Sequence, residues 1–121
     1  MTTLIARRAG WTTAVLWTVQ ILSAALFLFA GLHKLTGDPA MVQAFATIGL
    51  GQWFRYFTGG LEVISAVLLL IPAVAAYGAA ALAVTMVGAV ITHLALIGGS
   101  PVIPIVLLAA TSGIAWARWD E

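Results

Sequence analysis

Long apolar runs alternate along the chain with short breaks rich in glycine, proline and polar residues. The runs cover about residues 11–32, 53–71, 75–97 and 101–116. As a helix, the first run would be about 33 Å long, and the hydrocarbon core of a bilayer is about 30 Å thick. The last run would be about 24 Å long, which predicts local thinning of the bilayer or partial burial. The pattern predicts an all-α integral membrane four-helix bundle, in a single domain over residues 1–121.

The break after the first run predicts a short interfacial helix. Pro39 suits the first position of a helix, and Asp38 can cap it. The apolar residues that follow at helical spacing are Met41, Val42, Phe45 and Ile48. This segment is too short to cross a bilayer, so it is predicted to lie across the mouth of the bundle. Further on, Ser100 can cap the last span, and Arg118 and Trp119 are predicted to mark the interface where that span ends.

The composition supports a membrane protein. Of the 121 residues, 63% are hydrophobic and 7% are charged, whereas soluble domains carry about 25% charged residues. The net charge of +1 and the lack of basic stripes argue against nucleic acid as a partner. The chain has no cysteine, which excludes disulfides, thiol redox chemistry and cysteine-ligated iron–sulfur clusters.

The basic residues predict the orientation. The first apolar run is longer than the ~7–15 residues of a signal-peptide core, so it is predicted to be a retained span. With four spans, both termini share one side of the membrane. That side carries Arg7, Arg8 and Arg118, and the other carries Lys34 and Arg55. The excess predicts a multi-pass protein of the inner membrane with cytoplasmic termini.

Glu62 is the one acidic residue inside an apolar run, where a carboxylate costs several kcal/mol unless it is protonated or paired. Arg55 precedes it by seven residues, which places both on one helix face about 10 Å apart. His93 lies near the end of the third span at a similar depth, and Lys34 ends the first span. The four residues Glu62, His93, Arg55 and Lys34 are therefore predicted to line one pocket that binds a ligand or handles protons. Within it, Glu62 and His93 are predicted to pair and to share or pass a proton.

Structural roles fit some of these residues as well. A Glu62–His93 hydrogen bond would fix the second span against the third, but such pairs average only about 0.6 kcal/mol, which favours a functional role. Snorkelling to the interface also explains Lys34 and Arg55, and for Lys34 alone it fits as well as a functional role does. Gln20 is predicted to make one interhelical hydrogen bond. No helical metal-ligand spacing, serine–histidine–aspartate arrangement or phosphate-binding loop occurs, so neither a metal site nor a catalytic residue is predicted.

Three short motifs occur in a characteristic order: Gly-x-x-Lys-Leu at Gly31–Leu35, Gly-x-x-Glu at Gly59–Glu62, and Thr92-His93. With them, the chain from about Ala30 to Pro104 resembles the DoxX-like family of small bacterial membrane proteins. The resemblance implies a four-span bundle. The family takes its name from a subunit of a thiosulfate:quinone oxidoreductase, so the resemblance also implies redox-accessory work linked to quinone. The lack of cysteine argues against an independent enzyme and for, at most, a membrane subunit of an oxidoreductase complex.

The leading functional hypothesis is a pocket around Glu62 and His93 that takes a lipophilic or quinone-like molecule, with quinone as the implied cofactor. The expected partners are the lipid bilayer, a lipophilic small molecule, and either further copies of the chain or oxidoreductase subunits. Two alternatives stay open. One is a small-molecule or proton-coupled transporter or channel that works as an oligomer, with Glu62 as the coupling site. The other is a non-catalytic assembly or scaffold protein.

Overall fold

The structure, a computed structural model, describes residues 10–119. Arg7 and Arg8, on which part of the predicted orientation rests, lie outside the described residues. Within these residues the fold is all-helical, which confirms the predicted class. The elements are α1 (Gly10–Leu35), α2 (Pro39–Ile48), α3 (Gln52–Leu69), α4 (Ala75–Thr92), a π-helical segment (His93–Ile97) and α5 (Val102–Arg118).

The helix ends follow from local sequence, with two corrections. Helix α2 begins at Pro39 as predicted, but the Asp38 side chain makes no capping hydrogen bond. Instead, the carbonyl oxygen of Asp38 accepts hydrogen bonds from the amides of Met41 and Val42. Helix α5 begins at Val102 with Pro101 at the N-cap position, one residue later than predicted, and Ser100 Oγ accepts a hydrogen bond of 3.2 Å from the amide of Val102.

The third apolar run is less regular than predicted. It is one continuous stretch of helix, Ala75–Ile97, but its last turn widens to π geometry from His93 onward. Gly98 and Gly99 then take φ values of 71° and 76°, which side chains rarely allow. Single π-turns inside α-helices occur frequently at functional sites.

Within residues 10–119, two helices are long and apolar enough to cross a membrane, α1 with 26 residues and Ala75–Ile97 with 23. The burial pattern is the reverse of that in a soluble protein. The buried residues include the polar side chains Gln20, Arg55, Glu62 and Arg118, while large apolar side chains are exposed along α1, α3, α4 and α5. Soluble monomers rarely expose apolar surface on this scale.

Helix α1 packs against α3, α4 packs against α5, and α3 joins the two pairs by packing against α4. The centre of the bundle is filled by Phe27, Leu69, Leu82 and Ile114, all of which are almost fully buried.

A buried polar cluster joins α1, α3 and α5 below this apolar layer. The Nε group of Arg118 donates a hydrogen bond of 2.8 Å to Gln20 Oε1. Gln20 Nε2 donates one of 2.7 Å to the carbonyl oxygen of Leu69, in the last turn of α3, where carbonyls lack helical partners. The guanidinium of Arg118 also lies 5.0 Å from the Trp17 ring centroid. The predicted interhelical bond of Gln20 is confirmed. Arg118, the last residue of α5, packs its side chain into the bundle with 5% exposure.

We expect Arg118→Met to lower the free energy of unfolding by about 1–3 kcal/mol, because it leaves the buried Gln20 oxygen without its donor. Denaturant titration in mixed micelles would measure this. The double variant Gln20→Leu, Arg118→Met should lower the free energy of unfolding by less than the sum of the losses in the two single variants. Additive costs would show that the two side chains act independently.

Candidate functional site

The close crossing of α1 and α3 builds the core of the site. At Gly59, an added Cβ would lie 2.9 Å from the carbonyl oxygen of Gly31 and 2.9 Å from Lys34 Cβ. At Gly31, an added Cβ would lie 2.7 Å from a methyl group of Val63 and 2.8 Å from the carbonyl oxygen of Gly59. The two glycines thus let the helix backbones touch, and the Lys34 side chain passes over the bare surface of Gly59.

Lys34 is the ionic partner of Glu62. Its Nζ lies 2.8 Å from Glu62 Oε1, and the two side chains are 15% and 2% exposed. Within the described residues, this ammonium is the one partner that lies against Oε1. The pairing compensates the charge of a carboxylate that would be costly to bury alone.

His93 does not pair with Glu62 as predicted. Its Nδ1 lies 2.9 Å from the carbonyl oxygen of Gly98, five residues ahead, across the turn that ends the π segment. Among residues 10–119, no hydrogen bond joins His93 to Glu62. The two side chains nevertheless line the same cavity. The predicted pairing of Glu62 with His93 is therefore wrong, although both residues lie at the same cavity.

Arg55 lies beside the site and not in it. Its side chain is 4% exposed and does not line the cavity. Its Nη1 donates a hydrogen bond to the carbonyl oxygen of Lys34, and its Nε donates one of 2.7 Å to Gln52 Oε1. The guanidinium also stacks 4.3 Å above the centroid of the Tyr56 ring. Because Lys34 is in the last turn of α1, Arg55 caps a carbonyl that has no helical partner and fixes the residue that pairs with Glu62.

A cavity of about 440 Å³ lies between α2, α3 and α4, with Lys34 at one edge and His93 in its wall. Its apolar lining includes Met41, Phe45, Phe54, Leu61, Met86 and Ala89. A protein cavity of about 150 Å³ holds a benzene molecule, so this one has room for a bicyclic ring system with a short substituent. Phe57 and Val84, at 57% and 73% exposure, stand at its edge, so the cavity opens sideways between α3 and α4.

Sequence reasoning missed the wall that α2 provides. Met41, Phe45 and Ile48, all on the apolar side predicted from the helical spacing, face the cavity. The signal was therefore present in the sequence, but a short amphipathic helix can cover lipid as well as a cavity. No group of three metal-ligating side chains occurs among the described residues.

Comparison with known proteins identifies the family. Residues 18–115 match the DoxX-like family. The chain belongs to the DoxX-like family. The matched region contains Lys34, Glu62 and His93 as well as both glycines of the crossing. No curated protein and no solved structure matches the chain. Family membership, together with the two long apolar helices, indicates a membrane protein in contact with lipid.

Proposed function

We propose that this member of the DoxX-like family crosses the bacterial inner membrane four times, with both termini in the cytoplasm. Helices α3 and α5, at 18 and 17 residues, are shorter than the two clear candidates, but their outward residues are apolar and their charged residues face inward. Helices of about 25–27 Å cross a slightly thinned bilayer. Reporter domains fused after residue 121 and into the loop at 98–100 would give opposite accessibility if this topology holds.

Within that bundle, we propose a binding site for a lipophilic, quinone-like molecule. The observation that carries the proposal is an ion pair between the half-buried Lys34 and the buried Glu62, at the edge of an otherwise apolar cavity that is open at its side. Ligand pockets are mostly apolar with a few polar groups that fix orientation. A side opening between two spans suits a molecule that arrives from the bilayer.

The site supports binding more than independent chemistry. Lys34 and Glu62 are paired with each other, and His93 is the remaining titratable group among the described residues that line the cavity. We therefore propose a redox-accessory role as a membrane subunit beside an oxidoreductase, with Glu62 and His93 as ligand-binding or proton-handling groups and Arg55 as the residue that positions Lys34. Self-association or binding to oxidoreductase subunits would use the lipid-facing surface.

Blocking the cavity tests the proposal. A Cβ at Gly88 meets no atom within 4 Å, and Gly88 lines the cavity, so Gly88→Phe should fill the opening without disturbing the helix. Gly60 is the matched control: it is also helical with open space around its Cβ, but it does not line the cavity. We expect Gly88→Phe to lower at least tenfold the amount of lipophilic molecule that co-purifies with the protein, and Gly60→Phe to leave it unchanged. Mass spectrometry of organic extracts measures this.

Three results would contradict the proposal. Equal retention in both variants would place the molecule outside the cavity. Flux of a solute across reconstituted vesicles that is lost in Glu62→Gln would favour the transporter. If no molecule is retained and both variants recover a stable protein partner, the result would favour a non-catalytic scaffold protein.

A further inference from the structure

We infer that the cavity selects an uncharged lipophile that donates hydrogen bonds, a phenol or the hydroquinone form of a quinone, over the oxidised quinone. This inference rests on the proposed function and specifies the chemical class and redox form of the ligand. It follows from which polar atoms of the cavity already have partners.

The charges of the cavity exclude an ionic ligand. Lys34 is the one cation among the described lining residues, and its ammonium lies 2.8 Å from the Glu62 carboxylate. The nearby guanidinium of Arg55 is held by Lys34 and Gln52 and lies outside the lining. A fatty acid or phosphate group would have to break the ion pair to gain a counterion, and would leave Glu62 buried and uncompensated.

The threonines of the cavity can only accept hydrogen bonds. Thr58, Thr85 and Thr92 line it, and each hydroxyl donates a hydrogen bond of 2.8 Å to the carbonyl oxygen four residues earlier in its own helix. A hydroxyl has a single proton to donate. Only the lone pairs of these three oxygens therefore remain for a ligand.

The imidazole of His93 is an acceptor for the same reason. A carbonyl oxygen cannot donate, so the contact of 2.9 Å with Gly98 requires the proton to be on Nδ1. In the neutral ring Nε2 is then unprotonated and accepts, and no residue of the described part of the chain bonds to it.

Among the described residues, the cavity thus offers acceptors from Thr58, Thr85, Thr92 and His93 against one donor, the ammonium of Lys34. An oxidised quinone carries only acceptors and can satisfy only Lys34. A hydroxyl group on an aromatic ring can donate to one of the acceptors and still accept from Lys34. A ligand that cannot donate leaves the acceptors of the site without hydrogen bonds. The site therefore binds such a ligand less tightly.

Three probes of similar size separate these alternatives: 1-naphthol, which donates, 1-methoxynaphthalene, in which the donor is blocked, and 1,4-naphthoquinone, which only accepts. Binding is measured with the full-length protein in lipid nanodiscs, after subtraction of uptake by empty nanodiscs. We expect 1-naphthol to bind about tenfold more tightly than either of the others, the size of one good hydrogen bond.

Two variants assign the acceptors. Thr85→Val keeps the shape of the side chain but removes the hydroxyl, and combined with His93→Phe it should reduce the preference for 1-naphthol over 1-methoxynaphthalene, because two of the acceptors are removed. The matched control is Thr18→Val, because the hydroxyl of Thr18 makes the same bond to its own helix on an exposed surface outside the cavity. This control should keep the full preference.

Equal binding of the three probes, or tighter binding of 1,4-naphthoquinone, would overturn the inference. If Gly88→Phe abolishes that binding, the proposed binding site itself still stands. If no probe binds, or if Gly88→Phe changes nothing, the proposed function fails together with the inference. A preference for 1-naphthol that is undiminished in the double variant would also overturn the assignment of these acceptors.

Discussion

We expect Lys34→Met to destabilise the bundle by about 3 kcal/mol, because it leaves a buried carboxylate without its counterion. Glu62 is 2% exposed and Lys34 is 15% exposed, so the two single variants should differ. In Glu62→Gln the lysine can extend towards the interface and stay charged, and the expected loss is about 1 kcal/mol. Denaturant titration in mixed micelles, followed by circular dichroism, measures both values.

The double variant Lys34→Met, Glu62→Gln tests whether Lys34 stabilises the bundle through its charge or through the packing of its stem. Since it removes both charges, we expect its stability to be closer to that of the wild type than to that of Lys34→Met. Retention of the lipophilic molecule should stay low in the double variant, because the polar edge of the cavity is gone. A double variant as unstable as Lys34→Met would show that Lys34 contributes through packing of its stem and not through its charge.

The second large effect is expected at the crossing of α1 and α3. We expect Gly59→Val to destabilise the bundle by about 3 kcal/mol or more, since even a Cβ would lie 2.9 Å from the backbone oxygen of Gly31 and overpacking typically costs 1–3 kcal/mol. Backbone atoms cannot rotate away, so the helices must separate. Separation would also carry Lys34 away from Glu62, and ligand retention should fall together with stability.

Gly60 provides the matched comparison, one residue further along the same helix. A Cβ at Gly60 meets nothing within 4 Å, so Gly60→Ala should stabilise the protein by about 0.5–1 kcal/mol through helix propensity alone. Gly59→Ala should instead destabilise the protein, because the steric clash of the added Cβ costs more than the gain in helix propensity. Equal effects at the two positions would show that the helices do not touch at Gly59.

The two glycine motifs of the sequence gain a physical meaning from this crossing. Gly-x-x-Lys and Gly-x-x-Glu each place a charged residue one helical turn beyond a contact glycine. Because α1 and α3 cross at these glycines, the lysine stem runs along the bare backbone at Gly59 to reach Glu62. The motifs were visible in the sequence, but their pairing across two helices was not.

The sequence by itself determined the all-helical class, the four long helices and the short α2, since apolar periodicity and the Gly, Pro and Ser breaks act over a few residues. It also singled out Glu62, because a carboxylate in an apolar run is costly wherever the run packs. Only the tertiary structure decided the partners: Lys34 for Glu62, Gly98 for His93, and Gln20 for Arg118. The reason is that helical spacing fixes the depth and face of a side chain but not the rotation of one helix against another or the reach of a long flexible side chain. A lysine or arginine extends several ångströms from its helix, so the contacts of these residues depend on packing that no single segment contains.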